Sequence, residues 1–205
     1  MFSRTFQYAT PCTSIFLDLS IETNMYFFLK NCSLAYLNVS KNVLTDIPDT
    51  IKQCKQLAIL DASVNPLQKI PEGCTQLLSI TELYLNDTFL EFLPANFGRL
   101  SRLKILELRE NGLNTLPKSL NRLANLERLD VGQNEISEVP EVIGSLCNLK
   151  ELWLDGNKIK AIPNIIGNLQ SLHHLEVRKI RNLNSIIMYL NYKYKGKPTI
   201  CHSIL

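Results

Sequence analysis

The sequence predicts an α/β solenoid, in which stacked coils form a curved parallel β-sheet on the concave face and short helical or irregular segments on the convex face. Prolines recur at intervals of 23 residues, and leucines recur at fixed places relative to them. A fixed period of roughly 20 to 50 residues is typical of a stacked array. The six periodic prolines are Pro48, Pro71, Pro94, Pro117, Pro140 and Pro163.

Each repeat follows the pattern L-x-x-L-x-L-x-x-N-x-L-x-x-L-P, and the first leucine is taken here as position one. This is the leucine-rich-repeat pattern. The leucines at positions four and six share one face of a short strand, because side chains alternate along a strand. The asparagine at position nine can donate its side-chain amide to backbone carbonyls of the turn that follows. One coil cannot bury its own apolar face, so stacking of neighbouring coils must bury it.

The periodicity divides the chain into three segments. Residues 34–186 contain six clear repeats and an irregular seventh, in which Ile180 occupies the asparagine position. Residues 1–33 are expected to be an atypical leader or a degenerate cap, and residues 187–205 a tail without repeats. In the tail, Lys193, Lys195 and Lys197 alternate with other residues, which is typical of a solvated tail or, alternatively, of a basic patch.

The composition indicates a globular protein. Apolar residues make up 45% and charged residues 20% of the chain. The net charge of +3 is too small to indicate nucleic-acid binding. No apolar run reaches the roughly 18 to 20 residues of a membrane-spanning helix, and the N-terminus lacks an apolar stretch of signal-peptide length. We therefore expect a cytoplasmic protein that is not secreted.

The repeats are of the 23-residue type that ends in L-P-x-x-I-x-x-L. Residues 83–111 and 41–65 closely resemble the erbin- and densin-like repeat regions of the LAP family, whose members combine leucine-rich repeats with PDZ domains. The resemblance extends over residues 34–177. This chain has fewer repeats than LAP proteins and no PDZ segment, so it resembles a fragment or a short isoform.

The resemblance implies a cytoplasmic scaffold in cell polarity that lies peripherally at the basolateral membrane, at cell junctions or at synapses. Members of the family attach to membranes through lipidated N-terminal cysteines; Cys12 is present here, but no matching motif surrounds it. Two alternatives stay open at this point. Regulators of the Ras pathway share this repeat class, which makes a small GTPase a candidate partner. The repeats could also belong to a larger enzyme-linked protein.

Cysteines and histidines show no metal-site or catalytic pattern. Cys54 and Cys74 occupy columns held elsewhere by core leucines, isoleucines or phenylalanine, so both should be buried free thiols. His173 and His174 are adjacent on a strand and should point to different faces. There is no C-x-x-C pair, no G-x-S-x-G elbow and no glycine-rich phosphate loop. We expect no cofactor, no metal and no enzymatic activity.

The variable residues at positions three, five, seven and eight should lie on the concave face of the sheet. Trp153, the single tryptophan, falls at position five, where it is a candidate binding anchor or simply lies over its neighbours Asp130 and Glu176. The predicted protein-binding residues are Tyr36, Asp61, Tyr84, Glu107, Arg109, Asp130, Trp153 and Glu176.

Charge on this face predicts a partner with a basic surface. Nine acids and five bases fall at the concave positions, although the whole chain carries +3. One sign of charge on a sheet attracts a partner of the opposite sign, or it merely keeps an open sheet soluble. The acids are Asp61, Glu82, Asp87, Glu107, Glu110, Asp130, Glu151, Asp155 and Glu176. The bases are Lys41, Arg109, Arg128, Arg178 and Lys179.

Overall fold

Within the described residues, nine short strands form a single parallel sheet in chain order, from β1 to β9. The computed structural model describes residues 33–177, together with the backbone of residues 14–16 and 199–201. The strands are β1 Ser14–Phe16, β2 Tyr36–Asn38, β3 Ile59–Asp61, β4 Glu82–Tyr84, β5 Ile105–Glu107, β6 Arg128–Asp130, β7 Glu151–Trp153, β8 His174–Glu176 and β9 Thr199–Cys201. The fold is a leucine-rich-repeat solenoid, as the repeat pattern predicts. Coils one to six are defined here as the repeats that contain β2 to β7.

The register of the sheet follows the sequence period. From β2 to β8 every strand residue pairs with the residue 23 positions further along, as Leu106 does with Leu129. The offset is 22 residues between β1 and β2, where Ser14 pairs with Tyr36. It is 25 residues between β8 and β9, where His174 pairs with Thr199. Strands thus lie within both terminal segments that the repeat pattern left outside the array.

Short 3-10 helices form the opposite side of each coil. Five of the six begin directly after the periodic proline, whose extended backbone stops the preceding segment. The helices are Asp49–Gln53, Glu72–Gln76, Phe97–Arg99, Lys118–Arg122, Glu141–Ser145 and Asn164–Asn168. Coil three differs, because its 3-10 helix is only three residues long. Gly98 there is required by close packing, since a Cβ at this position would lie 1.9 Å from the Ser119 carbonyl oxygen of coil four.

One continuous apolar core fills the space between the sheet and the 3-10 helices. The inward leucines of the strands, such as Leu106 and Leu129, are completely buried. Phe97 is the largest fully buried side chain. Cys54 and Cys74 are both buried in this core, as their places in the repeat predict. Burial raises the pKa of the Cys74 thiol to about 12.

An asparagine ladder closes the turns after the strands. In coil five, Asn134 Nδ2 donates to the Val131 and Gly132 carbonyls of its own turn and to the Leu108 carbonyl of the preceding coil. Its Oδ1 accepts the Leu113 N–H. Asn65, Asn111 and Asn157 repeat this arrangement. Buried backbone groups are satisfied in this way, as predicted for position nine.

The residue before the ladder position has a left-handed backbone in every coil. Position eight has φ between +52° and +67°, and only coil six has glycine there, at Gly156. Thr88 replaces the asparagine in coil three and donates only to the Leu85 carbonyl of its own coil and to Asn111 Oδ1. The repeat pattern predicts asparagine at position nine of every coil, so Thr88 was not predicted. Phe89, directly after Thr88, also has a positive φ of 56°, unlike its counterparts in the other coils.

Candidate functional site

The outward residues of the sheet form the candidate site. Positions three and five of each strand point away from the core, because position four points into it. We call this surface, with positions seven and eight, the open face. Of the predicted binding residues, seven lie on it and are partly exposed: Tyr36, Asp61, Tyr84, Glu107, Arg109, Trp153 and Glu176.

Asp130 differs from the prediction of an accessible docking residue. It lies on the open face but is only 6% exposed. Its Oδ1 accepts the Gly132 N–H at 2.8 Å and lies 3.5 Å from Arg109 Nη1. Burial raises the pKa of the Asp130 carboxyl, although the Gly132 hydrogen bond and the Arg109 charge oppose that shift. Asp130 therefore supports the structure around it more than it offers a surface to a partner.

Arg109 reaches along the open face from coil four to coil six. Its Nη1 and Nη2 atoms donate to the two carboxylate oxygens of Asp155 at 3.0 and 2.7 Å. Asp155 is 2% exposed. The guanidinium passes directly over Gly132, where a Cβ would lie 2.3 Å from Nη1. The bond to Asp155 is the main cause that raises the pKa of Arg109, so its charge is fixed.

Arg128 and Trp153 form a second cluster. The guanidinium carbon of Arg128 lies 4.2 Å from the centroid of the Trp153 ring, which is cation–π geometry. Arg128 also contacts Glu107 at 3.1 Å and Glu151 at 3.4 Å. His174 packs on the Trp153 ring, with centroids 4.6 Å apart and planes tilted by 38°. Trp153 therefore packs against position-three residues of both adjacent strands.

Arg128 and His174 were missed as site residues in the sequence. The signal was present, since a position-three residue lies diagonally opposite position five of the next strand, within reach of a long or aromatic side chain. His174 lies on the open face and His173 is exposed on the other side of the chain, which agrees with the expected divergence of the two side chains.

Two tyrosines lie nearer the N-terminal end of the open face. Tyr84 Oη donates to Glu82 Oε2 at 2.8 Å. Burial and this hydrogen bond raise the pKa of Tyr84, which therefore stays a neutral donor. Asn38 Nδ2 donates to Tyr36 Oη at 3.3 Å and lies 3.4 Å from Asp61 Oδ2. The open face thus presents aromatic rings next to oriented hydroxyls and carboxylates. Such groups combine apolar contact area with directed hydrogen bonds.

Other candidate sites receive no support from the described residues. No group of three or more potential metal ligands is found within the described part of the chain. Asn86 begins the N-glycosylation sequence Asn86-Asp87-Thr88, a pattern that also arises by chance. Both polar atoms of its side chain are engaged, since Nδ2 donates to Glu107 and Oδ1 accepts the Arg109 N–H. Across the same residues, no helix combines the length and the apolar character needed to cross a bilayer. The irregular seventh repeat beyond Val177 and the lysines of the tail, together with Arg178, Lys179 and Cys12, fall outside the described residues.

Comparisons with known proteins find similarity to leucine-rich-repeat proteins. Residues 92–191 match the family model described as a leucine-rich repeat region. The chain is similar to a solved leucine-rich-repeat protein of Leptospira interrogans, with 31% identity and a TM-score of 0.69 over 75% of this chain. It spans 41% of the length of that protein. A search of curated proteins finds no match.

The fold and the comparisons therefore agree on a leucine-rich-repeat solenoid. As many as 419 chains of solved structures match, so the likeness identifies the fold and carries no information about one partner.

Proposed function

We propose that this protein is a non-enzymatic binding module that holds a protein partner on the open face of its sheet. The observation that supports this function is the set of partly exposed aromatic and charged side chains on the open face between β2 and β8, which includes Tyr36, Tyr84 and Trp153. Large amphipathic rings dominate the binding energy of protein interfaces. Arg128 and His174 pack on the Trp153 ring and hold its rotamer, so this ring loses little ordering entropy on binding.

The charges of the open face favour a partner with a basic surface. Within residues 33–177, nine acids and three bases occupy the four open-face positions. Arg109 contacts three carboxylates and Arg128 contacts two, so both cations are already engaged. Asp61 and Asp87 form no ion pair with the described residues. A basic partner would supply the missing positive charge and would be steered toward this surface.

The resemblance to LAP repeats supports a more specific role. In this role the protein is a cytoplasmic scaffold, peripherally associated with the basolateral membrane or with cell junctions, and contributes to cell polarity. A small GTPase is the partner that the alternative Ras-pathway role would require. The open face is the binding surface in both roles.

Site-directed photocrosslinking tests the proposed surface. A benzoylphenylalanine at position 84 replaces one aromatic ring by another on the open face, and the same residue at Asn121 places it on the exposed 3-10 side of coil four. In cells, the variant at position 84 should form a discrete crosslinked complex and the variant at position 121 should not. Crosslinks from position 121 alone would assign binding to the other side of the solenoid.

A further inference from the structure

Four large apolar side chains are exposed at one edge of the sheet. Val43 is 69% exposed, Val64 41%, Phe89 61% and Phe92 59%. All four belong to the turns that follow strands β2, β3 and β4 in three consecutive coils. We call these four residues the apolar rim. If a phenylalanine side chain carries 150 to 250 Å² of surface, the two rings alone leave roughly 200 to 300 Å² in solvent.

The apolar rim is continuous across coils one to three. Val43, Pro66 and Phe89 occupy position ten of successive coils, and position ten continues as Gly112 and then Glu135. Hydrogen bonds from Val64 N to the Asn86 carbonyl, and from Gln68 N to the Thr88 carbonyl, join coils two and three at this edge. The apolar character is therefore confined to the first three coils, and a requirement of the fold that applies to every coil cannot explain it.

The fold does not benefit from large apolar residues at two of these positions. Val64 and Phe89 have φ values of 57° and 56°, in the left-handed region that β-branched and bulky residues disfavour. Asparagine or glycine would relieve this strain. Because neither side chain belongs to the apolar core, core packing does not compensate for the strain. Contacts of Val64 and Phe89 with a partner would bury these side chains and would explain why apolar residues occupy these positions.

Carboxylates border the rim on its C-terminal side. Asp87 and Glu91 form no ion pair with the described residues, and Glu110 has only a contact of 3.9 Å with Arg109. Glu91 leans toward coil four, since its Cγ lies 3.8 Å from the position of a Cβ at Gly112. Lys41 and Lys69 belong to coils one and two, at the repeat positions that Val64 and Phe92 occupy one coil later. Across coils three and four, the edge therefore has an apolar surface next to uncompensated negative charge.

We propose that the apolar rim is a docking surface for a short segment of a protein partner in which large apolar side chains are followed by basic residues. This inference rests on the proposed protein-binding function and adds the edge of the sheet to the open face. Coils are spaced about 4.8 Å apart, so coils one to four span roughly 14 Å, the length of about four extended residues. The apolar side chains would lie on Phe89 and Phe92, and the basic residues would face Asp87, Glu91 and Glu110.

An array of synthetic 12-residue peptides tests the proposal with the full chain as the labelled probe. The peptides vary apolar and basic content independently, and matched peptides carry Asp and Glu in place of Lys and Arg. Wild-type protein should bind peptides with both apolar and basic residues. The double variant Phe89→Asn, Phe92→Ser should bind them at least tenfold more weakly, because it removes the rings and keeps a residue that tolerates the left-handed backbone.

Leu78→Ser is the matched control, since Leu78 is 53% exposed but lies outside the rim. It should bind like wild type, and all three proteins should melt at similar temperatures. An array pattern that the double variant leaves unchanged, or the absence of any preference for apolar and basic peptides, would overturn the rim assignment. Binding of the wild type to phosphatidylserine vesicles alone, lost in the double variant, would overturn it in favour of a membrane. None of these results changes the photocrosslinking test at position 84, so the open-face function fails or stands separately.

Discussion

Replacing Gly132 by alanine should destabilise the protein, although the backbone at this position can accept a side chain. The added Cβ would lie 2.3 Å from Arg109 Nη1 and 2.8 Å from Asp155 Oδ1. Real Cβ atoms do not approach other heavy atoms so closely, so one group must move. The guanidinium is the end of a flexible side chain, whereas Asp155 is nearly buried. Arg109 is therefore expected to leave Asp155.

The size of the destabilisation follows from the ion pair with Arg109 that Asp155 loses. Breaking a fully buried ion pair costs about 3 to 5 kcal/mol, because a carboxylate is left buried without its partner. Arg109 is 29% exposed, so water can solvate it after displacement and the loss is smaller, about 2 to 3 kcal/mol. Alanine restricts the unfolded chain and returns about 0.4 to 1 kcal/mol. The net destabilisation of Gly132→Ala should be about 1 to 3 kcal/mol.

Urea unfolding followed by circular dichroism measures this change, and Gly112→Ala provides the matched control. A Cβ at Gly112 would meet its nearest neighbour at 3.5 Å, an ordinary contact. The control should change the free energy of unfolding by less than about 0.5 kcal/mol, or stabilise slightly. In an Arg109→Ala background, Gly132→Ala should lose most of its effect. A Gly132→Ala protein as stable as wild type, or an equal loss in both backgrounds, would refute the reasoning.

Two further substitutions test the core and the asparagine ladder, and a labelling experiment tests the thiols. Leu106→Ala should lower the free energy of unfolding by about 2 to 5 kcal/mol in urea denaturation, because it leaves a cavity between coils that couple only to neighbours. Asn134→Ala should cost about 2 to 4 kcal/mol in the same assay, since three carbonyls lose a donor and the Leu113 N–H loses its acceptor. With Ellman's reagent at pH 8, Cys147 should react in the folded protein, whereas Cys54 and Cys74 should react only after unfolding.

The backbone of the solenoid could be predicted from the sequence because a single period determines it. The L-x-L spacing fixes which strand residues point inward, and the 23-residue interval fixes which residues pair between strands. Asn134 and its equivalents could be assigned because the same side chain serves the same backbone groups in Asn65, Asn111 and Asn157. Thr88 escaped notice because it changes only one hydrogen-bonding position within a pattern that otherwise continues.

The side-chain contacts of the open face could not be predicted in the same way. The Arg109–Asp155 pair joins residues 46 positions apart, and it depends on the absence of a side chain at Gly132 between them. The Arg128–Trp153 contact depends on a diagonal between neighbouring strands and on the rotamers of both residues. The repeat period determines the position of a residue within its coil. The residues at neighbouring positions determine where a long side chain lies. The burial of Asp130 follows from those neighbours and not from its position in the repeat.

The role of open-face charge in binding should therefore be tested at acids that do not belong to a buried side-chain network. Reversing Asp130 would disturb Arg109 and Gly132 along with any partner, because Asp130 is a nearly buried part of that network. Asp61 and Glu82 are cleaner targets, since Asp61 accepts the Ser63 N–H and Glu82 accepts from Tyr84, and neither forms an ion pair with the described residues. Asp61→Asn with Glu82→Gln keeps an acceptor oxygen at both positions and removes two charges.

The Asp61→Asn, Glu82→Gln variant should fold like the wild type. It should associate more slowly with the partner captured by photocrosslinking at position 84. Stopped-flow association rates should differ most at 0.1 M salt, where the Debye length is about 10 Å, and should converge at 1 M, where it is about 3 Å. Dissociation should change less, because charges away from the centre of an interface act mainly on the encounter. Equal association rates at 0.1 M salt would show that these acids only keep the open sheet soluble, and the basic partner would lose its support.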